Sequence, residues 1–170
     1  MTTPVINIEQ ETKKVRVACG ATTIPVDVRK IIGSLGLKLM STDLNDSLSG
    51  AFLRKEKIVV VNKNHSLLRK RFTIAHEIGH YKLHETENDK EFIDGIFKRE
   101  KGANANTLKV EMEANQFAAS LLMPRDEIIQ EFHKQDPVTG DYITDLSEKF
   151  KVSHESMNYR LINLGLTVPQ

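Results

Sequence analysis

Residues 72–84 read Phe72-Thr73-Ile74-Ala75-His76-Glu77-Ile78-Gly79-His80-Tyr81-Lys82-Leu83-His84, and this stretch decides how the rest of the chain is read. On a helix, His76 and His80 stand about 40° apart around the axis and about 6 Å apart along it. Both imidazoles therefore reach one small cation on the same face. Glu77 points beside that face, within reach of a water on the cation. Ser66 is placed to cap the helix, which runs to about Leu83, with Ile74, Ile78 and Tyr81 on its buried side.

The pattern His-Glu-x-x-His is the metal-binding arrangement of zinc peptidases. A hydrolytic zinc site takes three protein ligands and keeps a fourth position for water. The third ligand is expected on another element facing the first helix. Residues 110–124 supply a candidate helix, stopped by Pro124, which cannot continue the hydrogen-bond ladder. Glu111, Asn115, Ala118 and Leu122 fall on one stripe of it. Small Ala118 and Ala119 allow close approach to the first helix. Glu111 can then bind the metal, and Asn115, one turn on, can orient a ligand imidazole. Glu113 is a second candidate carboxylate beside Ala114.

These two segments together resemble the ImmA/IrrE family of metallopeptidases. The likeness rests on His76-Glu77-Ile78-Gly79-His80-Tyr81 and on Glu111-x-x-Ala114-Asn115-x-Phe117-Ala118-Ala119-x-Leu121-Leu122-Met123-Pro124. Residues 58–62, 71–75 and 146–165 also fit, so the resemblance runs from about residue 25 to about residue 166. It implies a small cytoplasmic zinc endopeptidase of the gluzincin type, which cleaves a partner repressor of the helix-turn-helix kind encoded nearby. By motif position it implies His76, His80 and Glu111 as ligands and Glu77 as general base. Glu111 is preferred over Glu113 because it lies four residues before Asn115, as in the Glu-x-x-x-Asp/Asn pattern of gluzincins.

In such a site zinc brings its bound water near neutrality, and manganese suits the same two-imidazole, one-carboxylate set. Glu77 accepts the proton and passes it to the leaving amine. A further donor is expected for the oxyanion, and Tyr81, His84, Arg99 and Tyr142 are all candidates. His84 lies eight residues after His76, about 80° around and about 12 Å along a straight helix. It is too far away to share the ion, which leaves it a capping or supporting role.

The remaining sequence predicts an α+β fold. A small zincin-like domain carries a short, mostly antiparallel sheet packed on a metal-binding helix pair, followed by a helix-turn-helix-like appendage. The expected division is an amino-terminal arm over 1–22, a peptidase domain over 23–135 and the helical appendage over 138–170, packed on that domain. Val15-Arg16-Val17 suggests a weak strand in a loose arm. Pro25 suits the first position of a helix through Val28, Ile31 and Ile32 that ends at Gly33 or Gly36. Residues 37–40 suggest a short strand, and 51–54 with 57–62 suggest a hairpin. By analogy with zinc peptidases, Val59-Val60-Val61 borders the cleft and pairs with extended substrate.

Residues 85–94 carry five acids and residues 98–101 three bases. With Phe92, Ile93, Ile96 and Phe97 this link reads as a short helix, a lid or a solvated loop. Residues 126–133 suggest another helix, residues 136–140 a loop, and Ser153 a cap between two final helices. Their spacing resembles a DNA-reading pair, but residues 138–170 hold three bases against four acids. Phosphate binding needs a basic face, so direct DNA binding is not expected.

The net charge of +1 shows no global footprint for nucleic acid or membrane. The one cysteine, Cys19, suits a reducing compartment. No stretch is apolar enough to span a bilayer and residues 1–10 lack a signal-peptide pattern, so the cytoplasm is the expected location. A second function class stands beside the enzyme: a toxin-like or anti-repressor binding protein that holds its target uncut and keeps zinc for structure. An intact Glu77 favours the enzyme, since a structural site needs no base.

Overall fold

The computed structural model describes residues 7–84, 92–93, 105–134 and 142–166. Within them lie seven helices and a four-stranded mixed sheet. The sheet comprises β1 (Lys38–Thr42), β2 (Gly50–Leu53), β3 (Ile58–Asn62) and β4 (Phe92–Ile93), in the order β1-β3-β2-β4. β1 runs parallel to β3, while β2 pairs antiparallel with both β3 and β4. The hairpin between β2 and β3 turns through Lys57 at φ 54°, where Lys57 N–H donates to the Arg54 carbonyl at 3.2 Å.

This order corrects one expectation. β3 has a strand on each side, so its backbone groups are consumed within the sheet and substrate cannot pair with it. Its three valines are buried although they alternate between the two faces of the sheet, each less than a tenth exposed. Phe92 and Ile93 form β4 against Ala51 and Phe52 rather than a helix. The rest of the 85–104 link, including Ile96 and Phe97, lies outside the described residues, as does the 136–140 loop.

The helix α3 (Leu67–Leu83) begins where the Ser66 hydroxyl accepts from the Arg69 N–H at 3.3 Å. Every residue from Thr73 to His80 is buried. α3 therefore has no solvent face along those two turns: it is covered by β2 and β3 on one side and by α4 (Ala105–Leu122) on the other. Gly50 lets β2 come this close, since a Cβ there would stand 2.5 Å from Cγ2 of Thr73 and 2.4 Å from the Val60 carbonyl oxygen. At the far end of β3, buried Asn62 donates through Nδ2 to the carbonyls of Leu44, Asn45 and Leu48 at 3.0–3.3 Å. That amide holds the loop before β2 against the sheet.

Two further expectations are corrected. Val15-Arg16-Val17 lies in helix α1 (Ile8–Ala18), not a strand. Thr12, Val15 and Arg16 face inward at helical spacing, and α1 packs along α4, which selects a period of 3.6 over one of 2. Helix α2 (Val28–Ser34) starts after Asp27, not at Pro25. The Asp27 carboxylate accepts from the N–H groups of Arg29 and Lys30 at 3.0 Å each, a cap that proline cannot provide.

Helix α5 (Arg125–Phe132) follows Pro124, and α6 (Tyr142–Phe150) and α7 (His154–Asn163) close the chain. Ser153 caps α7 through the Ser156 N–H at 3.1 Å. Phe150, Met157 and Leu161 join the same core as Ile78, Phe117 and Leu121. Arg160 is buried and fastens α7 to the rest: Nε donates to the Met123 carbonyl at 2.9 Å, and Nη2 stands 2.8 Å from Glu9 of α1.

Candidate metal centre

His76 and His80 stand one turn apart on the buried side of α3, and Glu111 faces them from the first half of α4. Their Nε2 atoms are 2.9 Å apart. Glu111 Oε1 lies 3.3 Å from His80 Nε2, and Oε2 lies 3.5 Å from His76 Nε2. Among the described residues this is the one trio of histidine and acidic side chains that fits a cation, with donor atoms all within 4.8 Å of one another.

The trio can be tested against a metal. Ligands about 2.0–2.2 Å from a tetrahedral ion are separated by about 3.3–3.6 Å. The three observed separations bracket the lower end of that range. Tautomers agree. Asn115 Oδ1 lies 3.0 Å from His76 Nδ1 and can only accept, so the His76 proton sits on Nδ1 and the Nε2 lone pair points at His80 and Glu111. Lone pairs converging on one buried point call for positive charge between them. The residues fit a divalent cation.

Electrostatics favour ligand-ready forms. Burial drives the pKa of His80 down to about 4, against the smaller upward pull of Glu111, so its imidazole is neutral at neutral pH. Burial alone would raise the Glu111 carboxyl, but the two imidazoles of His76 and His80 beside it outweigh burial and hold the group well below the usual carboxylate range.

The other predicted residues fall as follows. Glu77 is fully buried on α3 between the two histidines. Asn115 backs His76 as described. His84 is the residue that ends α3, buried, with Nδ1 3.3 Å from His80 Nδ1 and Nε2 3.1 Å from Glu113 Oε2. Glu113 thus faces His84 and not the trio. Tyr81 is partly buried, edge-on to Phe52 at 5.6 Å. Tyr142 is buried against Phe132 at 5.5 Å, its hydroxyl pushed up to about 12 by burial and without a hydrogen-bond partner among the described residues. Arg99 lies outside them.

Two contributors escape sequence reasoning. Arg54, on the β2–β3 turn, donates through Nη2 to the carbonyls of His80 at 3.2 Å and His84 at 3.1 Å. It satisfies the last carbonyls of α3 and pins the turn that carries both imidazoles. Nothing in the local sequence marks it, because its partners lie 26 and 30 residues away. Gly79 is the other: a Cβ there would meet the Ala114 Cα and the Phe117 Cβ at 3.2 Å. Its absence lets α4 carry Glu111 up to the histidines.

A helix bearing two histidines, packed between a small mixed sheet and a second helix bearing a carboxylate, defines a metal-binding peptidase-like fold. A family model described as an IrrE N-terminal-like domain matches residues 32–162, and the chain belongs to that family of metallopeptidases. It is 30% identical over 130 residues to the radiation response metalloprotease IrrE of Deinococcus radiodurans, across 76% of this chain and 37% of that protein. A Mycobacterium tuberculosis transcriptional regulator shares the fold, with a TM-score of 0.67 at 18% identity over 92% of this chain and 47% of that one. The chain thus spans less than half the length of either relative.

Proposed function

We propose that this chain is a zinc-dependent endopeptidase that cuts a protein substrate, a helix-turn-helix repressor encoded near it. The observation that carries the reading is the convergence of His76, His80 and Glu111 within 4.8 Å, with Glu77 buried beside them in the same helix. Those three side chains hold the cation, and Asn115 keeps His76 turned toward it. When bound, zinc supplies Lewis acidity toward a carbonyl and lowers the pKa of water. Glu77 serves as the proton acceptor at its carboxylate and returns that proton to the leaving amine. Being wholly buried, it works in a low-dielectric setting where charge differences between ground and transition state count for most. The repressor as substrate follows from the family resemblance of the two motifs. The single buried Cys19 and the lack, among the described residues, of any helix long and apolar enough to cross a membrane suit action in the cytoplasm.

The test is to incubate the purified chain and its Glu77→Gln variant with zinc and the repressor encoded beside it, followed by mass spectrometry of the products. Cleavage by the parent and a loss of roughly 100- to 10,000-fold in the variant support the reading, since that is the span general-base catalysis contributes. Tight binding of the repressor by both proteins with no new termini overturns it in favour of a non-cleaving regulator.

A further inference from the structure

Behind His80, on the side away from the trio, stands a pair of side chains that the peptidase reading does not use. His84 Nδ1 lies 3.3 Å from His80 Nδ1, and His84 Nε2 lies 3.1 Å from Glu113 Oε2. Both imidazoles are buried, His80 at 1% and His84 at 5% exposure, whereas Glu113 sits at the edge of α4 with Lys109 Nζ 3.7 Å from its other oxygen. We propose that Glu113 and His84 form a hydrogen-bonded relay that fixes the tautomer and ring orientation of His80, making them positioning residues for the metal centre.

One arrangement of protons on neutral imidazoles supports ligation by His80. With Glu113 as a carboxylate acceptor and His84 as a neutral imidazole, the His84 proton lies on Nε2 and a lone pair is presented at Nδ1. His80 then donates from its own Nδ1 to that lone pair, which leaves its Nε2 lone pair facing His76 and Glu111. With both imidazoles neutral, reversing one link alone sets two protons or two lone pairs face to face in a buried space. The relay mirrors the support of His76 by Asn115, so each imidazole of the trio is held from behind by a residue of α4, directly or through His84. Arg54, bridging the carbonyls of His80 and His84, fixes the turn on which the relay depends. The distance along the helix that stops His84 from joining the trio is what places it behind His80.

This inference rests on His80 being a metal ligand, and its test separates the two claims. Zinc affinity is measured by competition with a chromogenic chelator for the parent, His76→Ala, His84→Phe, Glu113→Leu, the double variant and Glu113→Gln. Thermal unfolding of each zinc-free protein checks the fold, and the part-exposed site of Glu113 makes that variant tolerant. Tight 1:1 zinc in the parent and its loss in His76→Ala establish the centre by themselves. The relay then predicts affinity weakened roughly 10- to 100-fold by His84→Phe and by Glu113→Leu, the range for lost supporting partners. The double variant should be no weaker than His84→Phe alone, because both act through one link. Glu113→Gln, which keeps an acceptor oxygen, should restore most of the affinity. In the zinc-loaded parent, ¹⁵N spectra should show His80 protonated at Nδ1 and His84 at Nε2. Parent-like zinc affinity in both His84→Phe and Glu113→Leu, or the opposite tautomers, overturns the relay while the metal centre stands. A parent that binds no zinc overturns both.

Discussion

A methyl group on Gly79 would stand 3.2 Å from the Cα of Ala114, so α3 and α4 meet backbone against backbone beside His80 and between Glu111 and Asn115. The metal centre is built across that contact, and its dimensions depend on the contact staying this close.

Gly79→Ala puts the methyl against Ala114 Cα, Ala114 O and Phe117 Cβ, none of which is the end of a flexible side chain. Alanine favours a helix by up to about 1 kcal/mol over glycine, but overpacking a buried contact costs about 1–3 kcal/mol. The expected result is a net loss of about 1 kcal/mol in urea unfolding and a weaker zinc complex, because the helices part at the trio. Unchanged affinity would show that the separation of α3 and α4 does not set the site.

Glu111→Gln removes the charged member of the trio and leaves its shape. Zinc binding should weaken by more than the roughly 100-fold that bounds the loss of a supporting partner. Glu113→Gln should leave binding close to the parent. Chelator competition on both variants settles which carboxylate is the ligand, and the reverse ranking would refute the assignment to Glu111.

Acid should destabilise the metal-free protein well above the carboxylate range. His80 has its pKa lowered from 6.5 to about 4 in the folded state, so protons bind the unfolded chain better. Stability is therefore full above pH 6.5 and falls as the pH drops toward 4. Glu111, held low, shifts stability in the same direction below its unfolded value of 4.5. Between pH 7 and pH 5 the loss attributable to His80 is about 2 kcal/mol. Urea titrations of the chelator-treated parent and of His80→Asn check it, since the variant should lose that part of the slope.

Asn62→Ala strands the carbonyls of Leu44, Asn45 and Leu48 beside a buried gap. The expected cost is about 2–3 kcal/mol, given the penalty for buried groups left without partners. Limited proteolysis should also cut faster within residues 43–48. A variant as stable as the parent would mean that water takes over all three contacts.

What the chain reveals locally is whatever one helix or one turn can decide alone. The spacing of His76 and His80, the cap at Ser66, the stop at Pro124 and the stripe of Glu111 with Asn115 depend on the periodicity of neighbouring residues, and the structure repeats them. The helical period of Thr12, Val15 and Arg16 was also present in the sequence, but the β-branched valines at 15 and 17 suggest a strand until α1 packs on α4, which buries Val15 and leaves Val17 exposed.

Tertiary structure alone decided the rest, because those features join residues that no local pattern connects. β3 became central rather than an edge only when β1 and β2 flanked it. Arg54 caps a helix that begins 13 positions after it in the chain. Two glutamates two residues apart on α4 point about 200° apart around the axis, one toward the trio and one toward His84. The sequence determined which side chains can bind a cation. The packing of α4 on α3, through Gly79, determined which of them meet.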